Sequence, residues 1–211
     1  QSQWNKENRF TGWKDVDLSS NGILEAKNSG KLIKLNSIKI EKIYSSNLIR
    51  ANKTASIAMR EAGYDHLFKN DKLVMIKNES LNERDYGELT GLNKLETANK
   101  FGKEQVHIWR RSFDIKPPGG ESLKDVVHRV SSYFENVISL DLKQNKNILI
   151  SAHGNSLRTL CKYLFKISDQ KINELEIPTG NPLIIEFDDN VKIKKYYYLD
   201  ESRAKTIIFN Q

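Results

Sequence analysis

The sequence predicts an α/β fold in which strands alternate with helices, and three observations lead there. At 211 residues the chain has the length of one domain and can bury roughly 70 % of the surface its unfolded form exposes. The apolar run Ile148-Leu149-Ile150 ends in Ser151-Ala152-His153-Gly154-Asn155-Ser156, and helical spacing then runs from Leu157 to Phe165. A buried strand passing directly into a helix puts the intervening residues at the strand tip, beside unpaired helix N–H groups. Doubly wound sheets hold anions at that point. Strand and helix patterns also alternate along the rest of the chain, as a layered fold requires.

In chain order, Ser19 or Ser20 caps a helix to about residue 35, with Ile23, Ala26, Gly30 and Ile33 on one face. Residues 42–44 read as a short strand. Ser45 and Ser46 offer a cap to a helix over 48–62, whose alanines 51, 55 and 58 share a face. Residues 72–76 read as a strand, with Glu83 shortly beyond it. Short helices over 93–101 and 105–111 are separated by Gly102. Pro117-Pro118-Gly119-Gly120 forms a turn, and Glu121-Ser122 opens a long helix to about residue 142. Val126, Val130, Tyr133, Val137 and Leu140 recur along it at three and four. Residues 183–187 and 193–199 read as strands around the turn Asp188-Asp189-Asn190. The tail after Leu199 either folds over a pocket or is disordered.

Composition narrows the function. Charged residues are 29 % and apolar residues 38 %, which suits a globule with a well-solvated exterior. No apolar run approaches the roughly 20 residues of a bilayer-crossing helix, and no secretory signal is visible. The single cysteine, Cys161, rules out an internal disulfide and reads as a small core residue in a reducing cytoplasm. The net charge of +7 would suit a nucleic-acid binder if the lysines formed a stripe with aromatics between them. Here they are scattered among Asn, Ile and Glu, so they read as solvated surface. The arginines differ: Arg50, Arg84, Arg110 and Arg111 adjoin the segments that look chemical, and the planar guanidinium suits bidentate phosphate capture.

Two residues are candidates for chemistry. A lone histidine is most often structural, but His153 is followed by a glycine that lets a phosphate oxygen approach the backbone and by two hydrogen-bonding side chains. A protonated imidazole there neutralises oxygens of a phosphoryl group in transfer. His66, His107 and His128 have no such company and read as surface or packing residues. Most glutamates are solvated, yet Glu83 lies just past a strand in Leu81-Asn82-Glu83-Arg84-Asp85-Tyr86-Gly87, where a carboxylate can exchange a proton with a substrate hydroxyl. Arg110-Arg111 reads equally as a salt-bridged helix end or as part of a mobile lid reaching through Gly120.

Several segments taken together resemble the cofactor-dependent phosphoglycerate mutases of the histidine phosphatase superfamily. They are QSQWNKENRFTGW at 1–13, YSSNLIRANKT at 44–54, LNERDYGELTGLNKLET at 81–97, WRRSFDI at 109–115, PPGGESLKD at 117–125, SAHGNSLR at 151–158 and IPTGNPL at 177–183. They cover nearly the whole chain, and the directly joined PPGGES matches the family's shorter members. The resemblance implies a three-layer α/β sandwich with a mostly parallel sheet flanked by helices. It implies interconversion of 3- and 2-phosphoglycerate through a phosphohistidine primed by 2,3-bisphosphoglycerate, without a metal, nucleic acid or membrane, in a cytoplasmic homodimer or higher homo-oligomer. By position, Glu83 is the general acid/base, His153 stabilises the phosphoryl group in transit and Arg50 holds the same phosphate. Ser2, Asn5, Thr11 and Gly12 match the loop that wraps the substrate. Arg84, Tyr86, Lys94, Arg110 and Arg111 match residues that grip its carboxylate and second phosphate. Gly154 and Asn155 match the backbone cradle.

The family's nucleophile is a histidine in an Arg-His-Gly segment at the end of its first strand, and by alignment it falls before Gln1. The expectation is therefore one domain over 1–211 without its first strand, with a further apolar strand and Arg-His-Gly upstream. An intact mass equal to the 24.4 kDa of these residues refutes it. Two other functions stand beside the mutase: a small-molecule phosphatase of the same superfamily, and a non-catalytic phosphometabolite-binding protein.

Overall fold

The computed structural model describes residues 1–204; 205–211, which hold most of the C-terminal tail, lie outside the described residues. At its centre is a parallel sheet of β1 (Lys42–Ser45), β4 (Ile76–Lys77) and β5 (Ile148–Ser151) in the order β4-β1-β5. The register pairs Tyr44 with Ile76 and with Ile150. Helices α2 (Ser20–Leu35) and α3 (Ile49–Ala62) cover one face, where Ile33, Ile43, Ala55, Ala58 and Met59 form a buried cluster. Helices α6 (Leu123–Tyr133) and α8 (Gly154–Phe165) cover the other, around Tyr44, Val126, Val130, Ile138 and Leu160. These are the three layers expected. The hairpin β6 (Leu183–Phe187) and β7 (Ile193–Tyr198) is antiparallel and packs on Cys161 and Phe165. Burial pushes the Cys161 thiol up to about 12, as befits a core residue.

Smaller elements complete the chain: α1 (Gln3–Lys6), the antiparallel pair β2 (Phe68–Lys69) and β3 (Lys72–Leu73), α4 (Lys94–Phe101), α5 (Lys103–Arg111) and α7 (Ser139–Lys143). Helix α2 starts where expected, with the Ser19 side chain accepting from the Gly22 N–H. Its buried face is Gly22, Ala26, Ser29, Gly30 and Ile33, whereas Ile23 is exposed. Gly30 is needed for contact, since a Cβ there would lie 2.4 Å from the Ala58 carbonyl oxygen of α3.

Three expectations are corrected. The strand expected over 72–76 splits, Lys72–Leu73 pairing with β2 and Ile76–Lys77 with β1. Neither Ser45 nor Ser46 caps α3: its N-cap is Leu48, without a side-chain cap, and the Asp15 carboxylate accepts the Ile49 N–H at 2.7 Å instead. The long helix from Ser122 has a capping box with Asp125 but passes through a π-helical turn, Phe134–Ile138. The added residue per turn rotates the inward face, so Phe134 and Ile138 are buried while Leu140 is 50 % exposed.

A cavity of 860 Å³ runs between β5 and β6. Both strands line it along their whole length, with Ala26, Ile33 and Ala55 on one wall and Leu157, Leu160 and Leu164 on the other. The sheet β4-β1-β5 ends at this cavity on its β5 side.

Candidate active site

At one end the same cavity is bordered by polar residues from five separate segments. The tip of β5 passes directly into α8, as its sequence requires, with His153 as the N-cap residue. Its N–H donates to Ser156 Oγ at 3.0 Å, and its Nε2 lies 2.7 Å from Ser46 Oγ. Ser46 Oγ also accepts the Leu48 N–H, so this hydroxyl ties the His153 ring to the start of α3. Only 7 % of His153 is exposed. Burial, followed by the charges of Arg50 and Arg129, holds its pKa well below the usual histidine value, and the ring is neutral at pH 7.

Glu83 follows the short 3₁₀ turn Glu79–Leu81. Its Oε1 accepts the N–H of Arg84 at 2.7 Å and that of Asn155 at 3.3 Å. The carboxylate therefore rests on the first turn of α8, two residues from His153. Gly154 keeps the approach open: a Cβ there would meet only Glu83 Oε2, at 4.0 Å.

Arg50, on the first turn of α3, is buried and donates to the carbonyls of Gly12 at 2.8 Å and Lys14 at 2.9 Å. These bonds tie the N-terminal loop to the site. Within that loop Ser2 and Thr11 both donate to Asn5 Oδ1. Gly12, at φ +50°, fits against Thr90 and the Tyr86 backbone, where a side chain would be strained. Lys94 opens α4 under the Asn93 cap.

Ser2, Asn5, Thr11, Gly12, Arg50, Glu83, Tyr86, Lys94, His153, Gly154 and Asn155 thus all line one cavity. Arg84, Arg110 and Arg111 do not. Arg84 is fully buried, donates Nη2 to the Trp109 carbonyl at 2.8 Å and lies 4.7 Å from the Tyr86 ring centroid. Its Nε and Nη1 have no partner among the described residues. Arg110 and Arg111 end α5, and among the described residues neither is in an ion pair. The Pro117–Gly120 turn is pinned, with Glu88 N–H donating to the Pro118 carbonyl and Glu121 N–H to that of Asp85. His66, His107 and His128 are exposed.

The electrostatics favour an anion. Burial, then Arg110 and Arg111, lower the Lys94 ammonium, against a raising contribution from Glu83. Burial lowers the Arg50 guanidinium; burial and then Arg111 lower that of Arg158. Lys94 and Arg158 feel the repulsion of the neighbouring arginines, and Glu83 is the carboxylate that acts on Arg50, Lys94 and Arg158 alike. A bound polyanion relieves that repulsion.

Three contributing residues escaped the sequence reading. Ser46 reads as a helix cap. Arg158 is three residues past Asn155, on the same helical face, and donates to its Oδ1 at 3.2 Å; that spacing was a usable signal. Arg129 sits on α6 with its partners far away in sequence, and nothing local announces it.

The family model of the histidine phosphatase superfamily (branch 1) matches residues 1–198, and the chain belongs to that superfamily. A curated relative from Pelagibacter ubique (strain HTCC1062), named 2,3-bisphosphoglycerate-dependent phosphoglycerate mutase, is 46 % identical over 99 % of this chain and 95 % of its own. A protein of the same name from Enterococcus faecalis (strain ATCC 700802 / V583) is 44 % identical over 94 % and 95 %. Among solved structures, Bacillus stearothermophilus YhfR superposes with a TM-score of 0.77 at 22 % identity, covering 92 % of this chain and 89 % of that one. The native structure of mycobacterial glucosyl-3-phosphoglycerate phosphatase Rv2419c gives 0.73 at 21 %, covering 94 % and 92 %. At those identities the solved structures speak for the fold.

Proposed function

We propose that the chain is a mutase interconverting 3-phosphoglycerate and 2-phosphoglycerate in glycolysis and gluconeogenesis, through a phosphohistidine primed by 2,3-bisphosphoglycerate. The observation that carries this reading is the Glu83 carboxylate against the Asn155 N–H, in one cavity with His153, Arg50 and Lys94. The names of the relatives supply the substrate class. The residues suit the ligands: phosphorylated glycerates are small polyanions, and among the described residues Arg50, Lys94, Arg110, Arg111 and Arg158 lie in no ion pair.

When bound, 2,3-bisphosphoglycerate supplies the priming phosphoryl group. Arg50 and His153 hold its oxygens, His153 taking up a proton as the phosphate charge offsets the neighbouring arginines. Glu83 would accept the proton of a substrate hydroxyl as the O–P bond forms and the histidine N–P bond breaks, and return it to the oxygen when the reverse transfer breaks that O–P bond. Ser2, Asn5, Thr11 and Gly12 wrap the glycerate. Tyr86 and Lys94 grip its carboxylate and second phosphate, Arg84 backs the Tyr86 ring, Arg110 and Arg111 add positive charge from the end of α5, and Gly154 and Asn155 offer backbone donors. The reading includes a cytoplasmic, metal-free homodimer or higher homo-oligomer.

The decisive assay follows conversion of 3-phosphoglycerate with and without 2,3-bisphosphoglycerate. Conversion that depends on the bisphosphate, with an acid-labile protein phosphate, is expected. Phosphate release indifferent to it overturns the reading in favour of a phosphatase.

A further inference from the structure

We propose that Arg129 and Glu121 clamp the segment bearing Glu83, which makes Arg129 a positioning residue for proton transfer. The proposal rests on the mutase reading above. Glu83 lies between the 3₁₀ turns Glu79–Leu81 and Gly87–Leu89, in backbone too irregular to satisfy its own carbonyls. Arg129 satisfies them from α6. Its Nη1 donates to the carbonyls of Ser80 at 2.8 Å and Asn82 at 3.0 Å, and its Nη2 to that of Glu83 at 3.0 Å. The remaining donors, on Nε and Nη2, meet Glu121 Oε1 at 2.8 Å and Oε2 at 2.9 Å. All five guanidinium N–H groups are thereby used.

Glu121 completes the other jaw. Its Oε2 accepts the Asp85 N–H at 2.9 Å, and its own N–H donates to the Asp85 carbonyl at 2.9 Å. The chain is thus held up to Glu83 by Arg129 and from Asp85 onward by Glu121, leaving the Glu83 side chain directed at Asn155. Trp13 Nε1 adds a bond of 2.6 Å to the Glu83 carbonyl. The two clamp side chains are only 16 % and 20 % exposed, unlike the Arg60–Asp65 surface pair at 42 % and 72 %. Helix α6 is a rigid base, with Val126 and Val130 in the core. A lysine ammonium cannot span three carbonyls and a carboxylate, so Arg129→Lys is not conservative here.

The test uses the full-length active protein with Arg129→Lys and Arg129→Ala. With the carboxylate misplaced by a fraction of an ångström to an ångström, kcat falls about 10–100-fold and KM for 3-phosphoglycerate shifts less than about threefold. Labelling by 2,3-bisphosphoglycerate persists, and added ethylguanidinium restores kcat of Arg129→Ala in a saturable manner. A purely structural role instead lowers Tm while leaving kcat per folded molecule unchanged, and that result overturns the proposal. If the arginine variants fail to fold, the near-isosteric Glu121→Gln serves, with the same kcat-selective loss expected. Hydrogen exchange on the wild type gives a reading independent of turnover: a protected Asp85 amide supports the clamp, and a rapidly exchanging one overturns it. A wild type without mutase activity sinks the mutase reading; an active wild type whose clamp variants keep full kcat sinks this inference alone.

Discussion

His153 spends the ligand-free state neutral because its burial and the charges of Arg50 and Arg129 oppose a proton. A phosphoryl group reverses that balance, so anion binding draws a proton from solvent. The same depression links stability to pH. As pH falls below about 6.5 the unfolded chain binds this proton before the folded one does, so stability is present above that value and lost below it, by up to about 1.4 kcal/mol per pH unit. Denaturant melts of wild type and His153→Gln between pH 5 and 8 check it: the variant should show the shallower slope, and equal slopes contradict the depressed pKa. Glu83→Gln keeps the volume but loses the base, and kcat should drop about 10²–10⁴-fold with KM little changed. Steady-state kinetics decide this, normal turnover removing Glu83 from proton transfer.

At the scale of elements, two glycines illustrate opposite demands. Gly87, at φ +53°, presses on the Pro117–Gly120 turn; a Cβ would lie 2.2 Å from the Pro118 carbonyl oxygen and 2.4 Å from the Gly120 nitrogen. Both obstacles are backbone, so Gly87→Ala should destabilise by about 2–5 kcal/mol through strain and overpacking. Gly154 instead opens α8 onto the cavity. Gly154→Ala should leave Tm unchanged or slightly raised, as alanine favours a helix by up to about 1 kcal/mol, yet reduce turnover by putting a methyl beside Glu83 Oε2. Thermal melts and kinetics on both variants separate the cases, and a stable Gly87→Ala rejects the contact argument. The π-helical turn at Phe134–Ile138 shows where a regular 3.6-residue pattern misleads: each residue after the insertion faces elsewhere than the spacing of Val126 and Val130 implies.

For the molecule as a whole, the net charge of +7 is less telling than where unpaired cations gather. Arg111 stands beside Lys94 and Arg158 in an electrostatic cluster. Arg111→Ala should raise KM about 10–100-fold at low salt while largely sparing kcat, as loss of a charged ground-state contact does. A fall in kcat with constant KM would place Arg111 in the chemical step instead. Increasing ionic strength should raise the wild-type KM as the cluster is screened.

Residues 148–165 announced a strand, a phosphate-type turn and a helix because burial and capping are local, repeating properties of one element. Glu83 stands out in the sequence as lying past an expected strand, and Arg50 for its guanidinium chemistry and the family resemblance; the structure has Glu83 just after a 3₁₀ turn and Arg50 in the first turn of α3. Only the tertiary structure decided that Ser46 serves the His153 imidazole rather than a helix cap, that Arg129 reaches back 46 residues to the Glu83 carbonyl, and that α6 turns its face at Phe134. It also brought Glu83 within hydrogen-bonding distance of Asn155, 72 residues away. Periodicity encodes which side of an element is buried, whereas hydrogen-bond partners distant in sequence are selected by how the layers dock.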